Sequence, residues 1–328
     1  MAHPDSVLPD RLQQDCALAV RADADGSSAL LRFSWGNASS DPVWPLGLQW
    51  IGGDLLTETW HAEGERTQGR EGAIDWVKVG GCLSLTLVLD DRPEQDPEPL
   101  VYGAYRDLIA FAEQQGHPHL LRAWNYFPAI NEGSGNSERY RRFCQGRARA
   151  LEDADLNAAA LCAGTAIGGR ENKLRIYLLC GSSPGLNIEN PRQISAYRYP
   201  KQYGPRSPSF ARATLLPAVD GDALLMISGT ASVVGHASQH AGDVLAQTQE
   251  ILTNIDSLLA ESERRSGCRG LSEFNSNSLV RVYVRDPSDW PRIEPLLRNS
   301  WPSARMAAFC GDVCRADLLV EIEAVTQA

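Results

Sequence analysis

Two short stretches, Leu120-Leu121-Arg122-Ala123-Trp124-Asn125-Tyr126 and Leu279-Val280-Arg281-Val282-Tyr283-Val284-Arg285, are locally similar and stand in the same setting. Each follows a segment of helical apolar spacing and precedes a loop and a second helical segment, so one plan runs through the chain twice. In the first half, strands are expected at 29–35, 43–51 and 74–89, where Leu83, Leu85, Leu87 and Leu89 alternate with Ser84, Thr86 and Val88. A helix over 100–115 stopping at Gly116, a strand at 120–127 and a helix over 138–152 with Ser137 as its N-cap follow. The second half gives strands at 173–180, 211–216, 223–228, 278–285, 305–310 and 318–325, with helices near 243–264 and 289–299. At 328 residues the chain exceeds what one small core usually organises. Two domains, or one large α/β unit, are the expectation from length; the repeated plan and the Ala- and Asp-rich stretch 150–166 favour two domains, 1–155 and 156–328, with residues 1–28 beginning as a loose polar end.

The net charge of −10 argues against a general nucleic-acid or membrane-surface role, both of which need a positive field. Met1–Pro4 opens without a basic region followed by an apolar one, and no apolar run of membrane-spanning length occurs, so a cytoplasmic protein is expected. The eight cysteines are read as free buried thiols. Cys310 and Cys314 have no histidine nearby, and His236 and His240 lack an acidic partner and a third ligand, so no metal is expected. Gly181-Ser182-Ser183-Pro184-Gly185 has the letters of a nucleophile elbow. Pro184, however, has no N–H for an oxyanion hole, and the stretch reads as a turn. No phosphate-binding glycine motif occurs, so no nucleotide cofactor is expected.

Two stretches carry chemistry. Between Asn190 and Ala213 lie Arg192, Arg198, Lys201, Arg206 and Arg212 among Tyr197, Tyr199, Tyr203 and Phe210, without a single acid. They form either a solvated loop whose arginines pair with distant acids, or a pocket in which guanidinium forks and rings hold a small dianion. The closing stretch 317–325 alternates: Leu318, Val320 and Ile322 share one face, Leu319, Glu321 and Glu323 the other. Periodicity alone favours two acids on the wet face of a sheet. The alternative is that Glu321 lines a cleft, where a raised pKa would suit it to general-acid work. The apolar run 224–232 ends in small residues around Gly229, which permits close approach by a ligand or a neighbouring helix.

In combination these residues resemble the chorismatase family. The matching stretches are Arg122-Ala123-Trp124-Asn125-Tyr126, Ile130-Asn131, Tyr140-Arg141, Phe143-Cys144, Gly146-Arg147-Ala148, Asn187-Ile188-Glu189-Asn190-Pro191, Tyr199-Pro200, Tyr203-Gly204-Pro205-Arg206, Phe210-Ala211-Arg212-Ala213 and the closing strand. The second half is also similar to the RidA (YjgF) superfamily in Gly204-Pro205, Ile227-Ser228-Gly229 and Glu321-Ile322-Glu323-Ala324. The resemblance implies two RidA-like α+β domains, each a mixed sheet backed by helices. It further implies a cofactor-free enzyme that splits chorismate, with Glu321 as the acid that protonates the enolpyruvyl methylene. Tyr199, Tyr203, Arg206 and Arg212 are the expected substrate contacts; Arg305, which invites comparison with an arginine of RidA deaminases, ranks below them. Hydroxybenzoate-forming members resemble this chain in Gly229 and Cys314, whereas members that add water resemble alanine at both. Pyruvate with 3-hydroxybenzoate, and in one branch 4-hydroxybenzoate, is the implied outcome. Hydrolysis to a dihydroxycyclohexadiene carboxylate, RidA-type imine hydrolysis and non-catalytic binding are the rivals.

Overall fold

The computed structural model describes residues 16–22, 28–35, 45–219 and 223–328; the expected strand start at 43–44 and most of the loose polar end lie outside them. In chain order the strands are β1 (Leu18–Ala22), β2 (Leu31–Ser34), β3 (Gln49–Gly53), β4 (Thr57–Ala62), β5 (Arg66–Glu71), β6 (Ile74–Val79) and β7 (Cys82–Asp90). Then come α1 (Pro97–Gln114), β8 (His119–Pro128), α2 (Arg139–Asp153), β9 (Ala163–Gly169) and β10 (Lys173–Gly181). The second half holds β11 (Leu186–Ile188), β12 (Ala213–Leu216), β13 (Leu224–Ala231), β14 (Val233–Val234), β15 (Ala237–Ser238) and α3 (Val244–Ser266). It closes with β16 (Leu279–Val284), α4 (Trp290–Ser300), β17 (Arg305–Cys310) and β18 (Val320–Gln327).

The first large sheet has the order β5-β6-β7-β10-β8-β9, and the second β11-β12-β13-β18-β16-β17-β3. Apart from β3 the two orders are the same, strand for strand, and each ends in a parallel pair, β8 with β9 and β16 with β17. Both parallel pairs need a crossover, which α2 and α4 supply. The expected twofold use of one α+β plan is thus present. Because β9 and β10 complete the first sheet, the expected division at 155/156 cuts through that sheet. The passage from one sheet to the other falls in the turn 182–185.

Apolar side chains form three layers. One lies between the first sheet and α1 with α2, around Leu108, Phe143 and Leu178; one lies between the second sheet and α3 with α4, around Ile255, Ile293 and Ile322. The third, including Trp60, Trp124, Tyr177 and Phe309, fills the space between the two sheets. In β18, Val320, Ile322 and Ala324 face the helices, while Val325 on the other face belongs to the inter-sheet layer. The face bearing Glu321 and Glu323 is therefore covered, and the two acids are only 5% and 3% exposed. The wet-face reading fails because a second sheet stands where solvent was assumed.

Other differences are local. Residues 18–22 of the expected loose end form β1, which with β4 and β2 makes a three-stranded sheet. The strands β4, β5, β9 and β11 carry little aliphatic alternation; β5 reads Arg-Thr-Gln-Gly-Arg-Glu and β9 is mostly Gly and Ala. Ser137 does not cap α2: it ends a short 3-10 turn, its hydroxyl donating to the Ser134 carbonyl at 2.7 Å, and Glu138 occupies the N-cap. Cys16 and Cys82 are disulfide-bonded across 66 residues, contrary to the free-thiol expectation, which the other six cysteines meet. No helix among the described residues is long and apolar enough to cross a membrane.

Candidate active site

A cavity of about 710 Å³ opens where the edge of the first sheet meets the second. The junction is tied by hydrogen bonds: the Ala163 N–H donates to Thr214 Oγ1 at 2.8 Å and the Gly164 N–H to Ser228 Oγ at 2.9 Å. One wall comes from α2, which presents Tyr140, Phe143, Cys144 and Arg147. That helix lies close against α1 because Gly146 has no Cβ; one built there would meet the Glu98 carbonyl at 2.4 Å. The opposite wall is the basic aromatic segment, with Tyr199, Tyr203, Phe210 and Arg212, and the rim includes Cys314 and Arg315 from the β17–β18 connection.

Glu321 sits at the bottom. Burial, and next the negative charge of Glu323 on the same strand, push its pKa up to about 8, against the opposing pull of Arg122 and Arg212. A carboxyl so placed is largely protonated at neutral pH. The strand β13 slips register between Ile227 and Thr230, a bulge that contains Gly229. A Cβ at Gly229 would lie 1.9 Å from Glu321 Oε1, so the carboxyl can take this position because residue 229 is glycine and would have to shift beside any other residue. Cys314 and Tyr140 lie close enough to Glu321 to feel its charge; burial first, and then that charge, hold the Cys314 thiol up at about 12. Cys314 is thus a neutral, weakly polar wall group beside the acid.

Three arginines of the cavity form no ion pair among the described residues. Arg212 donates to the Tyr199 hydroxyl at 2.7 Å and to the Ile194 carbonyl at 3.0 Å. Arg315 donates to the His236 carbonyl at 2.9 Å and Ser238 Oγ at 3.2 Å, and stacks 4.0 Å over the Tyr203 ring. Arg147 lies 5.0 Å over the Tyr105 ring, and its buried Nε has no hydrogen-bond partner. Their close partners are neutral dipoles and ring faces, while Glu189 and Glu138 act on Arg212 and Arg315 only from beyond ion-pair distance, which leaves the site suited to an anionic ligand.

Of the residues expected from sequence, Glu321, Gly229, Cys314, Tyr199, Tyr203 and Arg212 come together around this one cavity. Arg206 does not: its side chain is 46% exposed and pairs with Glu152 at the end of α2. Arg305 lies elsewhere, ion-paired with Asp54 at 3.1 Å. Sequence reasoning named no role for Tyr140, Arg147, Thr165 or Arg315. The clustering of Arg139, Arg141, Arg142, Arg147 and Arg149 on one helix was the available signal for the first two. Thr165 and Arg315 reach the site only through tertiary structure.

Residues 58–180 match the family model described as chorismatase FkbO/Hyg5-like, N-terminal. A 3-hydroxybenzoate synthase from Streptomyces hygroscopicus is 40% identical over 279 residues, covering 82% of this chain and 81% of the relative. A chorismatase from Streptomyces rapamycinicus is 36% identical over 279 residues, covering 83% and 82%. The crystal structure of a chorismatase superposes with a TM-score of 0.80 at 29% identity, over 94% of this chain and 98% of that one. With identity of this extent and a fold shared almost end to end, the chain belongs to the chorismatase family.

Proposed function

We propose that the protein converts chorismate to pyruvate and 3-hydroxybenzoate, with Glu321 as the acid. The observation that carries this is a buried carboxyl, pushed up to about 8, at the bottom of a cavity with three arginines that lack carboxylate partners. Chorismate has two carboxylates and an enol ether. Arg147, Arg212 and Arg315 supply the positive charge for the former, and the tyrosine and phenylalanine rings flank the ring of the substrate. Glu321 gives its proton to the terminal methylene carbon of the enol ether, which becomes a methyl group and leaves an oxocarbenium ion. A carboxyl of ordinary pKa would already have lost that proton at neutral pH. The carboxylate left behind then stabilises the cation it helped to create.

The neighbouring ring hydroxyl adds to the oxocarbenium carbon; loss of the proton on the ether-bearing ring carbon then breaks that hydroxyl's bond to the ring and aromatises it, and collapse of the adduct releases pyruvate and leaves the ether oxygen as the 3-hydroxyl. Pyruvate and hydroxybenzoate together contain all the atoms of chorismate, so no water is consumed overall. Glycine at 229 and cysteine at 314 support the hydroxybenzoate outcome over hydrolysis. With Gly229 the Glu321 carboxyl can lie in the bulge of β13, a place that an alanine methyl would occupy. The reading carries with it the cytoplasmic location expected from the sequence. Incubation of the purified protein with chorismate, without added metal or nucleotide, should give pyruvate and 3-hydroxybenzoate in equal amounts. Untouched chorismate, or a dihydroxycyclohexadiene acid as the main product, would overturn the proposal.

A further inference from the structure

Glu323 lies two residues beyond Glu321 on the same face of β18, about 7 Å along the strand, and it is nearly as buried. Its surroundings are the reverse of those of Glu321. Glu323 Oε2 accepts from Arg122 Nη2 at 2.7 Å and from the Thr165 hydroxyl, and Oε1 accepts from Trp124 Nε1 at 3.0 Å. Arg281 Nη1 stands 3.2 Å from Oε1, while its Nη2 and Nε donate to Glu58 at 2.7 and 2.9 Å. Two guanidiniums and two carboxylates make up this cluster, so its charge is already balanced. Glu321 is the fifth member of the neighbourhood, without an arginine of its own.

The hydroxyl of Thr165 completes the arrangement. A hydroxyl has one proton and two lone pairs. The proton goes to Glu323, one lone pair accepts from Arg122 Nη2 at 2.8 Å, and the other accepts from the Gly229 N–H at 3.0 Å. Thr165 lines the same cavity as Glu321, and Gly229 is the residue against which the Glu321 carboxyl lies. Both nearby donors are therefore committed elsewhere, and the Glu321 carboxyl has no hydrogen-bond donor among the described residues.

We propose that Glu323 is a positioning residue for the acid: by engaging Arg122 and Thr165, and through Thr165 the Gly229 N–H, it leaves Glu321 as the protonated carboxyl that the reaction needs. The inference rests on the reading of Glu321 as the acid and deepens it. The charged and titratable groups facing Glu321 are Glu323 on its own strand, Tyr283 opposite it on β16, Arg122 from β8, Arg212 from the segment before β12, Tyr140 from α2, and Cys314 from the β17–β18 connection. The two arginines among them favour the anion. Arg122 Nη2 is engaged by Glu323 and Arg212 Nη2 by Tyr199; Arg122 Nη1 and Arg212 Nε have no hydrogen-bond partner among the described residues, and neither arginine donates to Glu321. A cluster that merely joined the two sheets would set stability and leave the ionisation of Glu321 alone.

The test is the pH dependence of kcat on chorismate for the wild type, Glu323→Gln, Arg122→Gln and Thr165→Val. In the wild type the rate should fall as pH rises through about 8, where Glu321 loses its proton. In Glu323→Gln that break should move to lower pH by about one unit, because a neighbouring negative charge is gone and two arginines are unmatched. In Arg122→Gln it should move the other way. Thr165→Val keeps shape and burial while releasing the Gly229 N–H, and should shift the break in the same direction as Glu323→Gln even if the charge variants fold poorly. An unmoved break in Glu323→Gln or Thr165→Val, or movement of all three variants in one direction, overturns the inference. The two readings fail separately: a fully active Glu321→Gln removes the acid itself, whereas an inactive Glu321→Gln with unmoved breaks removes only the role of Glu323.

Discussion

Two groups of arginines, one buried between the sheets and one lining the cavity, are partnered in opposite ways. Between the sheets, Arg122 and Arg281 each meet a carboxylate at 2.7 Å. In the cavity, Arg147, Arg212 and Arg315 meet rings, hydroxyls and carbonyls. A buried cation without a counter-charge is costly, so a matched pair can be explained as part of the structure, whereas an unmatched set implies that the anion arrives with the ligand. The carboxylates divide likewise. Glu58 and Glu323 are fully engaged; Glu321 is not.

That contrast can be broken at several points, in decreasing order of effect. Glu321→Gln keeps size and burial but removes the transferable proton, and pyruvate release should slow by about 10²- to 10⁴-fold. Retention of near-full activity would mean that the unmatched carboxyl is incidental. On the matched side, Glu58→Gln removes the two shorter carboxylate contacts of Arg281, leaving it only the 3.2 Å contact with Glu323, and should lower stability by about 3 kcal/mol in denaturant unfolding. An unchanged midpoint would show that the cluster is not charge-coupled. Arg212→Gln removes one charge-assisted contact to a substrate carboxylate and should raise KM about tenfold or more, with fold stability little altered. Arg206→Ala, at an exposed pair with Glu152, should change KM and kcat by less than about threefold. A large effect there would restore the sequence expectation that Arg206 touches substrate.

The contrast also explains which parts were legible in the sequence. Within β18 the alternation correctly separated the two faces, because side-chain period depends on the strand alone, but it was carried too far back: Leu318, expected beside Val320, lines the cavity, and Leu319, expected beside the acids, packs on the helix-side core. It could not tell water from a second sheet, since both accept a face bearing acids once arginines such as Arg122 and Arg281, distant in sequence, are opposite. The repeat of Leu120–Tyr126 in Leu279–Arg285 disclosed the common plan of the two sheets. The position of the changeover was hidden, because β9 is built from small residues and carries almost no pattern. The acid-free stretch 190–213 suggested an anion pocket, and its Arg212 does line the cavity. Arg206 falls outside the cavity lining and pairs with Glu152, which comes from a helix 54 residues earlier and so could not be foreseen. Thr165 and Arg315 gave no signal at all: a threonine in a small-residue strand and an arginine in a loop gain meaning only from what the fold puts beside them.

The central claim is that Glu321 is a neutral carboxyl at the pH where the enzyme works. The most direct measurement is the infrared difference between wild-type protein and Glu321→Gln, followed as a function of pH without substrate. A protonated-carboxyl band that persists through neutral pH and is lost with a midpoint near 8 is the predicted result. A midpoint in the ordinary glutamate range, about 4–5, would contradict the account.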